Sequence, residues 1–292
     1  MKFKGLASIG CAILAGVSLI GGLSGCKEEL KPAKEEIDVM SFNIRTQTDD
    51  DKNEKNWSYR YDYVKDYILN SDMDVVCLQE VRKVQFDDLK EGLSEKYEVM
   101  YFARENGTNP EGLAICYLKT FDKVESDMFW LSETPDKMSL GWGANYYRIC
   151  AYAKFRTPLG GYIDVFNVHL DHQVELARTN GLNLILDKVE ERGNSSIVCG
   201  DFNTTSESEC YTTINSVLYD CQQDTANTDS GLTYQNWGGK VSSQTPIDFC
   251  FVSENIKTLS FDIMQDTISE GVYYSDHYAI NAKLEVTYEY EE

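Results

Sequence analysis

Short apolar runs that close on a polar residue set the rhythm of this chain. Residues 37–43 (IDVMSFN) alternate apolar and polar side chains, the period of a strand with one covered face, and end at Asn43 with Arg45 just beyond. Further strand-like runs cover 74–80, finishing in Gln79 and Glu80, then 97–102, 113–118 preceded by Glu111, and 246–252 with Asp248 near its start. The clearest hairpin pairs 148–155, which opens on Arg148, with 162–168 through a turn at Thr157-Pro158-Leu159-Gly160-Gly161, and it delivers His169, Leu170 and Asp171 at a strand end. In 196–203 (SIVCGDFN) an apolar, β-branched run stops at Gly200, so Asp201 and Asn203 emerge together with Phe202 turned inward between them. The alternating run 278–290 reads as a final strand, directly after Ser275-Asp276-His277.

Helical spacing covers 59–69, with Tyr63, Tyr67 and either Val64 or Ile68 on one face, and 173–191, with Val174, Ala177, Leu184 and Val189 near one face. Two further helices are expected over 84–93 and 207–218. Strands interleaved with helices, without an internal repeat, predict an α+β (α/β mixed) domain. Between 126 and 147, Phe129, Trp130, Trp142, Tyr146 and Tyr147 mix with Pro135, Gly141 and Gly143; such a stretch serves either as a substrate wall or as a loop packed on the body.

The first residues stand apart. Lys2 and Lys4 precede an uncharged run ending in Leu23-Ser24-Gly25-Cys26, the pattern of a secretory leader over 1–25; it resembles the bacterial lipoprotein signal, in which the Cys becomes the lipidated first residue. Lys27-Glu28-Glu29 resembles a short signal that sends some lipoproteins to the cell surface, and the charged stretch 26–36 reads as a flexible tether to a domain over 37–292. The implied location is the cell envelope, at the outer membrane, anchored through a lipid on Cys26. Losing 1–25, with two lysines and no acid, moves the net charge from −21 to −23. That acidity disfavours loose binding to nucleic acid or anionic head groups, though not a phosphate ester bound through a metal. Of nine cysteines, Cys77, Cys116, Cys150, Cys199 and Cys250 sit in apolar runs as core residues; Cys210 and Cys221 lie in polar surroundings, where a disulfide between them stays open.

Asn43, Glu80, His169, Asp201, Asn203 and the Asp276-His277 pair all lie where strands end or begin, which is where sites are built. Each has a bland alternative: Gly-Asp-x-Asn as an Asx turn, a lone histidine as a structural hydrogen-bonder. Together they offer hard oxygen ligands, imidazoles and amide donors, a set suited to Mg²⁺ or Mn²⁺ chemistry on a phosphoryl group rather than to zinc. Of three histidines, His172 receives no role.

Ser41-Phe42-Asn43-Ile44-Arg45, Leu78-Gln79-Glu80-Val81, Asn167-Val168-His169-Leu170-Asp171, Gly200-Asp201-Phe202-Asn203, Ile247-Asp248-Phe249 and Ser275-Asp276-His277 resemble, in order, the motifs of the endonuclease/exonuclease/phosphatase superfamily. The resemblance implies a four-layer αββα sandwich of two mixed sheets flanked by helices. It implies Glu80 as the main metal ligand, with Asn43 near it and Asp276 available to a second metal. His277, oriented by Asp248, would take the proton from water; His169, with Glu111 as its carboxylate partner, would bind or protonate a phosphate oxygen. Asp201 and Asn203 would position nucleophile and phosphate, and Arg148 would contact phosphate. Neither the Trp-x-x-Asp-Arg pattern of inositol-polyphosphate phosphatases nor the Asn-Pro-Lys block of abasic-site endonucleases is present. The expected activity is that of a metal-dependent phosphodiesterase or phosphomonoesterase; the rivals are a nuclease acting on extracellular DNA or RNA and a catalytically silent surface-binding lipoprotein. Substrate selectivity is expected in the loops around Trp57, Trp130, Trp142 and Trp237.

Overall fold

The computed structural model describes residues 33–223 and 231–288. The expected leader, Cys26 and the first part of the expected tether lie outside them. In chain order the strands are β1 (Ala33–Asn43), β2 (Val75–Arg82), β3 (Tyr97–Ala103), β4 (Glu111–Leu118), β5 (Asp122–Trp130), β6 (Ile149–Arg156), β7 (Tyr162–His169), β8 (Ser195–Asp201), β9 (Tyr219–Asp220), β10 (Asp248–Val252), β11 (Ile256–Met264) and β12 (Ala279–Tyr288). The helices are α1 (Trp57–Asn70), α2 (Lys83–Gly92), α3 (Glu175–Arg192) and α4 (Glu209–Asn215).

Two six-stranded sheets result, ordered β11-β12-β1-β2-β4-β3 and β5-β6-β7-β8-β10-β9. The pairs β1/β2 and β7/β8 are parallel and the remaining pairs antiparallel, so both sheets are mixed. They stack with β12 over β10, β1 over β8 and β10, β2 over β7 and β8, and β4 over β6 and β7. Three apolar layers hold this together. Ile37, Val39, Cys77 and Ile115 meet Ala151, Val165, Ile197 and Cys250 between the sheets. Met40, Phe42 and Leu78 pack under Val64, Ile68 and Leu89 of α1 and α2. Phe166, Val198 and Phe251 pack under Leu182, Ile185 and Ile214 of α3 and α4. The arrangement is the expected αββα sandwich.

Several local expectations shift. β1 begins at Ala33, paired with Tyr288, so the last four residues of the expected tether belong to the sheet. From Val39 onward β1 is covered on both faces rather than one, because a helix layer lies outside and a second sheet inside. The buried face of α1 carries Trp57, Arg60, Val64 and Ile68, while Tyr63 is exposed and leans on Tyr59; on α3, Ala177, Gly181, Leu182, Ile185 and Val189 are buried and Leu184 only partly. β5 and β11 carry no strong apolar run, β5 being an acidic, largely exposed edge strand; backbone pairing makes them strands. Cys210 and Cys221 are free thiols in different cores, the first on the buried face of α4 and the second between the sheets, so they are not bridged.

A buried polar network ties the sheets together just below their common end. Gln79 Nε2 donates to Ser41 Oγ (3.1 Å) and Asn167 Oδ1 (2.8 Å), and Asn167 Nδ2 donates to the carbonyls of Leu78 and Ala114. Gln79 Oε1 is left without a partner, but the directional bonds of Gln79 Nε2 and Asn167 favour one register between sheets over a sliding apolar contact.

Candidate active site

The C-terminal ends of β1, β2, β7 and β8 and the N-terminal ends of the antiparallel β10 and β12 share one pole, and their flanking residues line a cavity of about 760 Å³. At Gly200 the backbone lies so close to β7 that a Cβ would fall 2.0 Å from the Val168 carbonyl oxygen, at φ +152°, which accounts for glycine there. Asp201 follows. Its Oδ1 accepts from the Asn203 N–H (2.8 Å) and Asn203 takes φ +51°, so the Asx turn anticipated as the bland alternative is present. Asn203 Nδ2 donates to the Leu170 carbonyl (3.0 Å), anchoring its amide at the pocket wall.

Asp201 Oδ2 is the hub of the site. It accepts from Asn43 Nδ2 (3.0 Å) and lies 3.6 Å from His169 Nε2 and 3.7 Å from His277 Nε2. His277 Nδ1 meets Asp248 Oδ2 at 2.9 Å, the carboxylate–imidazole pair expected from sequence. Burial opposes charge on His277, but Asp248, Asp201 and Asp276 outweigh it and raise its pKa to about 10. His169 goes the other way, held well below the ordinary imidazole value by burial and by the Arg148 and Arg104 charges. Burial and the neighbouring Asp248 push Asp201 up to about 7, against the opposing pull of His277. Two imidazoles and a carboxylate with separated proton affinities are what acid–base work requires.

Glu80 sits at a bulge between Leu78 and Val81, with φ +60°. Asn43 Nδ2 reaches its Oε1 (3.1 Å) and the Thr46 N–H its Oε2 (2.9 Å). Burial would raise this carboxyl, yet the Thr46 N–H, His277, Asn43 and Arg45 together hold it below the usual range, hence ionised. Asp276 lies beside it, 3.7 Å from Arg45 Nη1, and is raised by burial, with the Glu80 charge also acting against its ionisation. Carboxylates gathered this closely favour a bound cation. Asp248 Oδ1, buried and without a hydrogen-bond partner, and the grouping of Asp201, Asp248 and His277 ligand atoms within 4.8 Å point the same way. The donors are mostly hard oxygens and fit a divalent ion of the Mg²⁺ or Mn²⁺ type.

One expectation changes. Glu111 is not the partner of His169: its Oε1 binds Arg104 Nη1 at 2.8 Å, while the carboxylate near His169 is Asp201. The register of β4 brings Glu111 opposite Arg82, at the pocket's edge beside Arg104. None of the four tryptophans lines the pocket, Trp57 being buried and donating to Asp88 and Trp130 donating to the Arg104 carbonyl, but the loops that carry Trp142 and Trp237 do, through Tyr146 and through Tyr234, Ser242, Ser243 and Thr245. Arg148 is in place, deeply buried, with Nη2 on His172 Nδ1 (3.0 Å). The pocket residues that sequence reasoning missed include Thr46, Arg104, His172, Thr204, Thr205, Tyr234 and the hydroxyls of Ser242, Ser243 and Thr245. They sit on loops or one step past a strand, where no periodicity marks them; only His172, three residues after His169, offered a sequence signal.

Comparison with known proteins gives a consistent picture. Residues 40–277 match the model of the Endonuclease/Exonuclease/phosphatase family. A solved endonuclease/exonuclease/phosphatase from Bacteroides vulgatus is 32% identical with a TM-score of 0.81, covering 86% of this chain and 99% of that one. A mannosyl-6-phosphatase of Bacteroides thetaiotaomicron is 30% identical with a TM-score of 0.79, covering 85% of this chain and 99% of that one. The CCR4-Not complex 3'-5'-exoribonuclease subunit Ccr4 of Kluyveromyces lactis is 24% identical over 196 residues, 55% of this chain and 25% of that protein. The chain spans between 25% and 59% of the length of the curated relatives it matches.

Proposed function

The chain belongs to the endonuclease/exonuclease/phosphatase family, and from that premise we propose that it is a divalent-metal-dependent phosphoesterase acting on small phosphate esters at the cell envelope. The observation that carries the proposal is the Asp248–His277 pair and His169 converging on Asp201 Oδ2 in a cavity that Glu80 also lines. Glu80, with Asn43 beside it and Asp276 near, would hold the ion. When bound, a divalent cation supplies positive charge that offsets these carboxylates and the phosphoryl oxygens. Asp248, Asp201 and Asp276 raise His277 to about 10 while nothing offsets their charge; with cation charge offsetting the carboxylates the ring would give up its Nε2 proton and, held by Asp248 at Nδ1, would accept a proton from the attacking water through Nε2. The water oxygen bonds to phosphorus as the ester P–O bond breaks, and a proton from solvent converts the leaving oxygen to the alcohol. His169, neutral beside Arg148, donates a hydrogen bond to a phosphoryl oxygen; Asn203 and Arg148 position the phosphate.

An acidic chain with a cavity of about 760 Å³ favours a small organic phosphate over duplex DNA, and the likeness to a mannosyl-6-phosphatase supports a monoester. The likeness to Ccr4 keeps ribonuclease activity as the second reading. Both are tested by a panel of sugar phosphates, bis-nitrophenyl phosphate, sphingomyelin, RNA and plasmid DNA with Mg²⁺, Mn²⁺ or a chelator. Turnover that survives chelation, or that His277→Ala retains, would refute the mechanism, and metal-dependent RNA cleavage above sugar-phosphate hydrolysis would install the second reading. The envelope location rests on Cys26 and the leader before it. An unmodified N-terminus on the mature protein, read by mass spectrometry, would remove it.

A further inference from the structure

The stacking of the sheets lays the residues of this pole, most of which line the pocket, out in a row. Asp248 and His277 stand at β10 and β12, Asn43 and Asp201 at β1 and β8, Glu80 and His169 at β2 and β7, and Glu111 and Arg148 at β4 and β6, with Arg104 just past β3. Three strand intervals separate the first station from the last, about 14 Å at the usual spacing. Phosphoryl transfer keeps the attacking and leaving oxygens roughly in line across phosphorus. With water activated at His277 and phosphorus held near Glu80 and His169, the leaving group departs toward Arg148, Arg104, Glu111, Tyr146 and His172. We propose that this arm of the cavity is the leaving-group subsite and that it is built for a sugar-like polyol. The proposal rests on the phosphoesterase function above, with His277 on the nucleophile side.

The chemistry of the arm carries the assignment. Arg148 Nε and Nη1 and Arg104 Nε are buried N–H groups without hydrogen-bond partners, an expensive condition unless a ligand oxygen accepts from them. Arg148 Nη2 lies 3.0 Å from His172 Nδ1; because a guanidinium only donates, Nδ1 accepts and the ring proton sits on Nε2, so His172 is a neutral donor. Glu111, bound to Arg104 at 2.8 Å, supplies acceptor oxygens at the same wall. The Tyr146 ring, 43% exposed, packs against His172 (5.2 Å between centroids) and under the Arg104 guanidinium (5.9 Å), leaving an aromatic platform at the rim.

Charge decides among leaving groups. Three guanidiniums are matched by three carboxylates, Glu111 on Arg104 and Arg82, Glu105 3.5 Å from Arg82 and Asp171 3.9 Å from Arg148, so the arm has no net charge to offer a second phosphate, which would also meet Glu111. A purely aromatic leaving group would stack on Tyr146 and leave the guanidinium N–H groups unsatisfied. Hydroxyls accept from Arg104, Arg148 and His172 and donate to Glu111, while the C–H face of a sugar ring lies on Tyr146. The opposite arm, with Tyr234, Ser242, Ser243 and Thr245, flanks the nucleophile side.

The test compares kcat and KM of the full chain, with Mg²⁺ or Mn²⁺, on a hexose 6-phosphate and on phenyl phosphate. Wild type is expected to prefer the hexose ester. Tyr146→Ala and Arg104→Gln should lower the hexose-to-phenyl ratio of kcat/KM by about ten- to hundredfold, mostly through KM, as expected for losing hydrogen bonds to a charged group or a stacking face. Tyr146→Phe should keep the ratio, and Ser243→Ala, in the other arm, should leave it within about twofold. Tyr146 is half-exposed, so its variants keep the test open if Arg104→Gln does not fold. A preference for phenyl phosphate or a bisphosphorylated sugar, or a ratio that moves with Ser243→Ala and not with Tyr146→Ala, overturns the subsite. Failure on both esters with turnover of RNA or bis-nitrophenyl phosphate overturns the subsite, and failure on all four overturns the phosphoesterase function instead. Free hexose then tests the subsite alone: saturation-transfer NMR signals that Tyr146→Ala abolishes support it, and their absence from wild type overturns it.

Discussion

Asp248→Asn perturbs the site with little change of shape, and its effect on stability can be worked out from the pair it breaks. His277 is fully buried, and Asp248, at 2.9 Å, is the strongest of the groups that raise its pKa from the ordinary 6.5 to about 10. That difference corresponds to roughly 5 kcal/mol as an upper bound, and relaxation and water penetration bring it to about 2–4 kcal/mol. The folded state binds the proton more tightly than the unfolded one. The stabilisation is therefore full below about pH 6.5 and is lost as pH rises through about 10. Asp201, raised to about 7, acts with the same sign at lower pH: folded protein holds its proton longer, so stability falls between about pH 4 and 7. Urea unfolding in chelator-containing buffer, from pH 6.5 to 10, should show wild-type stability declining by about 2–4 kcal/mol and Asp248→Asn declining by less than about half of that. Parallel NMR titration of the imidazoles should place His277 highest in wild type and clearly lower in the variant. Equal pH slopes in the two proteins, or a His277 that titrates near 6.5 in wild type, would refute the coupling. Catalytically, loss of the orienting carboxylate should cost about 10²–10⁴ in kcat with little change in KM.

Chelation should abolish turnover, and Glu80→Gln should lower kcat at least about a hundredfold while metal titration shows weakened binding. Gly200→Ala forces a Cβ to 2.0 Å from the Val168 carbonyl oxygen and should destabilise the fold by about 3 kcal/mol or more, read as a fall in Tm. Arg60 is fully buried and donates to the carbonyls of Ile44, Arg45, Lys55 and Tyr274; Arg60→Met, which strands those carbonyls, should cost about 3–5 kcal/mol in urea unfolding. Because Cys210 and Cys221 are free and lie in separate cores, reductant should leave the Tm unchanged, and thiol titration of the unfolded chain should find both reactive.

Much of this protein is legible in local pattern. Runs such as Ile197-Val198-Cys199 and Phe249-Cys250-Phe251 are apolar because both sides of their sheet are covered, and the residues that close them, Asp201 and Asp248, are polar because the strands end at a cavity. Strand periodicity was therefore enough for an α+β domain with Asn43, Glu80, His169, Asp201, Asn203, Asp248, Asp276 and His277 near strand ends; the sandwich and the single pole these residues share were implied by the resemblance of their motifs to the family. Strand β5 escaped detection because an exposed acidic edge carries no alternation, and its identity comes from backbone pairing with β6. Partnerships escaped for a different reason. Which carboxylate faces which base depends on the stacking of the two sheets, and neither propensity nor spacing encodes a distance across a cleft. That is why Glu111 falls to Arg104, 2.8 Å away, and Asp201 becomes the carboxylate shared by the imidazoles of His169 and His277. The same limit hid Arg104 and His172 and left Tyr146 undecided between wall and packed loop; the three are separate in sequence and become one wall only where the loops after β3, β5 and β7 meet. Strand ends are written in short-range alternation of side chains; the walls of a cleft are set by long-range packing, which brings together residues that local sequence never compares.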